Sequence, residues 1–107
     1  MQNTFTGPIL AATDFTDEAA MVLPRAFRLA SRWECAVEAI HATDERDTAH
    51  AEAERRLRTE VEQLSFGKDV RSCTSIVKGG PAALAAEAER LEARSVVLGF
   101  HLSLIHI

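Results

Sequence analysis

A chain of 107 residues, 47% of them apolar, is long enough for one compact core and too apolar for an intrinsically disordered segment. Twelve basic residues against 16 acidic ones, a net charge of −4, argue against a broad nucleic-acid surface, which needs a basic excess. A small anion held by backbone N–H groups remains compatible with that balance.

The opening stretch Met1 to Gly7 is polar and lacks the basic start and apolar run of a signal peptide. Pro8-Ile9-Leu10-Ala11-Ala12-Thr13 is a short apolar run ending at Asp14, with the length and flanks of a buried strand. Asp14 to Asp17 follow as a turn, and Thr16 or Asp17 can cap the next helix. From Glu18 to Arg32, Ala20, Leu23, Phe27 and Ala30 recur at helical spacing. Pro24 interrupts that run and predicts a kink, or a cost of about 3 kcal/mol.

Cys35 to His41 reads as the second strand, and Thr43 to Thr48 as a loop. Ala49 to Leu64 is an amphipathic helix with Ala53, Leu57, Val61 and Leu64 on one stripe. Its charged faces, with Glu54, Arg58, Glu60 and Glu62, read as solvated. Phe66 to Asp69 is a turn, and Val70 to Val77 a third strand, polar enough to lie at a sheet edge. Gly79-Gly80-Pro81 opens a third helix carrying Leu84, Ala88 and Leu91 on its stripe. Ser95 to Gly99 is the fourth strand. The apolar stretch Ser95 to Ile107, broken by His101 and His106, is too short to span a bilayer. A soluble, cytoplasmic protein is the expectation.

Two cysteines, Cys35 and Cys73, are too few for a disulfide framework, and both read as buried free thiols. The order β-α-β-α-β-α-β predicts an α/β fold, an open parallel sheet with helices on both faces and right-handed crossovers. One domain accounts for residues 1–107.

In such a sheet, ligands sit beyond the carboxyl ends of the strands. Thr13 and Asp14, His41 and Ala42, Lys78 to Gly80, and Gly99 to His101 are therefore the candidate site residues. Asp14 has the chemistry to accept hydrogen bonds from a ribose or an adenine amino group, or to brace the turn. Gly79 and Gly80 fit an anion-binding nest or a plain helix start. Gly99 fits a close ligand approach or a strand-ending turn. His101 and His106 match no metal-ligand spacing. The chain contains no G-x-S-x-G, H-E-x-x-H, G-x-x-x-x-G-K or G-x-G-x-x-G. No nucleophile, base and orienting group come together, and the reading is non-enzymatic.

Ile9-Leu10-Ala11-Ala12-Thr13-Asp14-Phe15-Thr16 is similar to the opening strand and turn of universal stress proteins. Leu23 to Ala30, with its proline, resembles that family's first helix, and Ala39-Ile40-His41-Ala42 the end of its second strand. Val77 to Ala82 resembles the entry to its third helix, and Glu92 to Gly99 its fourth strand. The resemblance implies strand order 3-2-1-4-5 and, in many members, a bound ATP or related adenine nucleotide. It also implies that Asp14 contacts the nucleoside, the backbone near Ala42 the adenine, and that Gly99 begins a G-x-x-G phosphate loop. A homodimer through the far sheet edge is implied as well.

The pattern then departs. Leu102 stands where the second glycine belongs, and Leu102 to Ile107 does not match the family. The chain therefore reads as cut short after about residue 100, with the fifth strand missing or replaced by the tail. Glycines that let backbone N–H groups converge are what grip a phosphate, so nucleotide binding is expected to be weak. The alternative is a nucleotide-independent, dimerising interaction module in stress physiology. A phospho-receiver domain shares the alternation, but it needs an aspartate after the third strand, where Lys78 stands.

Overall fold

A computed structural model describes residues 7–15, 19–43 and 50–98. Four strands and three helices alternate: β1 (Ile9–Thr13), α1 (Val22–Trp33), β2 (Val37–Thr43), α2 (His50–Ser65), β3 (Ser72–Lys78), α3 (Gly80–Leu91) and β4 (Ser95–Leu98). The strands form one parallel sheet in the order β3-β2-β1-β4. This is the predicted α/β architecture, with the polar third strand at an edge as expected.

Side-chain alternation along the strands explains how the helices divide between the faces. Ile9 and Ala11 of β1, Val37 and Ala39 of β2 and Val97 of β4 meet α1 and α2, in a core that includes Phe27, Leu57 and Val61. Leu10 and Ala12 of β1 and Ile40 of β2 point the other way, to Leu84 of α3. All five residues of β1 are buried, as a central strand covered on both faces must be.

Within α1, Val22, Leu23, Ala26, Phe27 and Ala30 are buried. Two expectations about this helix are corrected. It begins at Val22 rather than Glu18, and Ala20 is an exposed residue ahead of it. Pro24 is consequently the third residue of the helix, within the first turn, where backbone N–H groups have no intrahelical acceptor. The first helical bond comes one residue later, from Arg25 N–H to Met21 O at 3.0 Å. At that position the proline lacks only a donor that had no partner to lose, so it gives no cause for the predicted kink.

The strands start two residues later than their apolar runs, at Val37 and Ser72. Cys35 is half-buried ahead of β2, and Cys73 is exposed on the edge strand β3. Burial of both thiols was expected and does not hold. Cys73 pairs in register with Glu38, which places it on the sheet face where α3 is the covering helix, at the uncovered rim.

Helix exits are sharp. Glu34 and Glu92, at the C-caps of α1 and α3, both adopt left-handed backbone, with φ of 57° and 52°. Their N–H groups return to Ala30 O, and to Ala88 O and Glu89 O, closing the last turns. Gly79 is the N-cap of α3 at φ 111°, a value that a side chain rarely tolerates. Gly7 lies so close to the end of α3 that a Cβ there would sit 1.9 Å from Glu92 O.

Candidate functional site

Parallel pairing brings the carboxyl ends of all four strands to one rim. Thr13 lies opposite His41 of β2, and Ala12 opposite Leu98 of β4. Helix α1, which leaves β1, lies on one face, whereas α3, which feeds β4, lies on the other. The gap above β1 and β4 is where an open α/β sheet places ligands.

The predicted site residues distribute along this rim as follows. Thr13 closes β1 and is buried, and Asp14 is half-buried directly after it. Ala42 lies in β2 opposite Val77, one strand away. Gly79 follows β3, two strands from β1, roughly 10 Å at the usual strand spacing. The structure thus brings Thr13, Asp14 and Ala42 together and leaves Gly79 aside, as the cap of α3. Gly99 lies outside the described residues, as do Thr16, Asp17 and the segment from Leu102 to Ile107.

The turn after β1 is held by Thr13 and His41, both among the candidate residues, together with Phe15 and Arg56, which sequence reasoning passed over. Phe15 N–H donates to Thr13 Oγ1 at 3.0 Å. The Nδ1–H of His41 donates to the carbonyl oxygen of Thr13 at 3.2 Å. A carbonyl can only accept, so this bond assigns the ring proton to Nδ1. The His41 ring is 7% exposed and stacks on Phe15, with centroids 4.8 Å apart and planes inclined by 22°. The Arg56 guanidinium of α2 lies over the same Phe15 ring, 4.3 Å from its centroid, within cation–π range.

Beneath this stack a cleft of about 400 Å³ opens between the start of α1 and α2. Ala19, Pro24 and Leu64 supply apolar walls, and Arg56, Glu60 and Gln63 polar ones. Arg56 also pairs with Glu60 at 3.7 Å, both side chains being well exposed. A wider hollow of about 810 Å³, lined by residues including Trp33, Cys35, Cys73 and Arg94, sits at the opposite rim. There the strands begin, on the side away from where parallel sheets bind ligands. Among the described residues no group of three or more His, Cys, Asp or Glu is placed to hold a metal. Nor is any described helix long and apolar enough to cross a membrane.

Position along the chain hid the stack: 26 residues separate Phe15 from His41, and 15 more lead to Arg56. The available signal was the strand parity that puts Thr13 and His41 on one face at adjacent strand ends.

The family model for the universal stress protein family matches residues 6–104. A universal stress protein family member from Burkholderia pseudomallei superposes with a TM-score of 0.75 at 20% identity, over 94% of this chain and 86% of that one. The protein UspA of Lactobacillus plantarum gives 0.75 at 19% identity, over 90% and 78%. A universal stress protein solved in complex with cAMP gives 0.65 at 17% identity, over 97% and 82%. Among curated proteins none matches.

Proposed function

The chain belongs to the universal stress protein family, and from that premise we propose that it is a non-enzymatic, cytoplasmic stress-response domain that binds an adenine nucleotide, ATP or a relative. The observation that carries this reading is the parallel pairing of β1 with β4, which sets Asp14 and the end of β4 on one rim. Asp14 accepts hydrogen bonds from the nucleoside, Thr13 shapes the turn, and the backbone near Ala42 meets the base. Gly99 begins the phosphate segment, and Gly79, beyond β3 at the opposite sheet edge, takes no part in it. The cAMP-bound relative supports an adenine ligand.

Phosphate is held poorly in this proposal. Gly99-Phe100-His101-Leu102 carries leucine where the motif needs its second glycine, and a side chain there obstructs convergent N–H groups. Adenosine and ATP are therefore expected to bind with affinities within about threefold of each other. Titration of the ¹⁵N-labelled chain with each ligand, followed by amide shifts, measures this. Asp14→Ala should weaken both ligands about tenfold, the loss of a charged hydrogen-bond acceptor. Absence of saturable shifts with adenosine would refute the site, and ATP binding far tighter than adenosine would refute the poor phosphate grip.

A second reading is favoured by the exposed Val96 and Leu98 of β4. β4 is an edge strand among the described residues, and apolar edges invite pairing with another copy. As a nucleotide-independent interaction module, the chain would dimerise there. Light scattering at increasing concentration should then give a dimer mass that Val96→Lys abolishes.

A further inference from the structure

Phe15 carries a φ of 64°, left-handed backbone that an aromatic residue adopts only under constraint. Such strain persists where the surroundings over-determine it, and it collects at functional sites. The constraints here are explicit. Thr13 Oγ1 takes the Phe15 N–H, and His41 stacks on the Phe15 ring while Arg56 also lies over it. The imidazole and the guanidinium both lie against that ring, 4.8 and 4.3 Å from its centroid. His41 meanwhile donates to the carbonyl of Thr13. One imidazole thus fixes the residue on each side of Asp14, by hydrogen bond on the one and by ring contact on the other.

We infer that His41 is a positioning residue for Asp14, locking the turn so that the carboxylate is presented to the nucleoside, with Arg56 as the outer clamp on Phe15. This rests on the nucleoside-binding reading above. It adds a task for His41, which sequence alone placed among the strand-end candidates, and for Arg56, on a helix whose charged faces read as solvated. His41 touches no ligand in this scheme. It acts through the Thr13 carbonyl and the Phe15 ring, and its effect on binding must therefore vanish when the Asp14 carboxylate is gone.

That dependence gives the test, a double-mutant cycle on adenosine affinity read by amide shifts. His41→Phe keeps an aromatic ring against Phe15 and deletes the donor to Thr13. It should weaken adenosine about fivefold in the parent chain, and by less than about twofold in an Asp14→Ala background. His41→Asn, whose amide nitrogen can stand in for Nδ1, should restore part of the affinity lost in His41→Phe. Arg56→Met alters an exposed residue with little risk to folding. It should weaken adenosine about twofold, again only when Asp14 is present. Equal losses with and without Asp14, or no loss in either His41→Phe or Arg56→Met, would overturn the inference. If Asp14→Ala alone leaves adenosine affinity unchanged, the nucleoside reading falls first and this assignment with it. The two failures are distinguishable. Should His41→Phe not fold, Arg56→Met carries the cycle unaided.

Discussion

Leu57 is fully buried and Val61 nearly so, while the rest of the described α2 surface is half-buried or exposed. The helix is therefore fastened to the sheet chiefly by these two side chains, against a core that includes Ala39 and Val37. Leu57→Ala removes three carbon atoms from a site closed on all sides. The lost transfer free energy is about 2 kcal/mol at 0.8 kcal/mol per methylene, and the unfilled cavity raises the cost to about 3 kcal/mol. Leu64 lies on the same stripe but is half-buried, so Leu64→Ala should cost about 1 kcal/mol. For a domain of this size, those losses lower Tm by roughly 15 and 5 °C. Urea unfolding followed by far-ultraviolet circular dichroism measures both, with an unchanged m-value for each variant. A Leu57→Ala cost below about 1 kcal/mol, or a Leu64→Ala cost equal to it, would refute the idea that α2 is held by a narrow stripe.

Glu38 stands half-buried on the α3 face of β2, and burial, then repulsion from Glu87, raises its carboxyl above the ordinary range, against a pull downward from Arg90. A carboxyl raised in the folded state favours folding below its unfolded pKa, near 4, and loses that contribution as pH rises through the folded value. Glu38→Gln should consequently stabilise the protein at pH 7 and match the parent near pH 3.5, as pH-dependent melting curves would record; an equal gain at both pH values contradicts the charge argument. Gly79→Ala places a Cβ 3.1 Å from Ala83 Cβ at a φ of 111°. It should destabilise by about 1–2 kcal/mol in urea unfolding, and a gain in stability would show that the backbone relaxes there without strain.

The architecture was legible because alternation of buried runs with 3.6-residue periodicities admits few sheets. Boundaries were less so. The apolar period runs on through Ala20 and points to a helix start at Glu18, yet only a backbone able to place Pro24 in the first turn fits that proline without loss. Val70 packs against the core without joining the ladder, so its apolar character marked burial and not a strand. Cys73 misled in the opposite sense, as an apolar residue that stands exposed on an edge strand. At the site, Asp14 was readable from its place after a buried strand. Its supports were not: the stack of His41, Phe15 and Arg56 joins three separate elements, and no local pattern encodes such a meeting.

Glutamate at both left-handed helix exits, Glu34 and Glu92, has a consequence for how this sequence can drift. Glycine would relax each exit, with a net gain of the order of 1 kcal/mol once its own freedom in the unfolded chain is set against the relief. The backbone can therefore carry a more stable sequence than the present one. That slack, one residue at the foot of α1 and one at the foot of α3, lies at the strand-starting rim, far from Asp14, where evolution or an engineer could draw on it to offset a costlier change at the ligand rim.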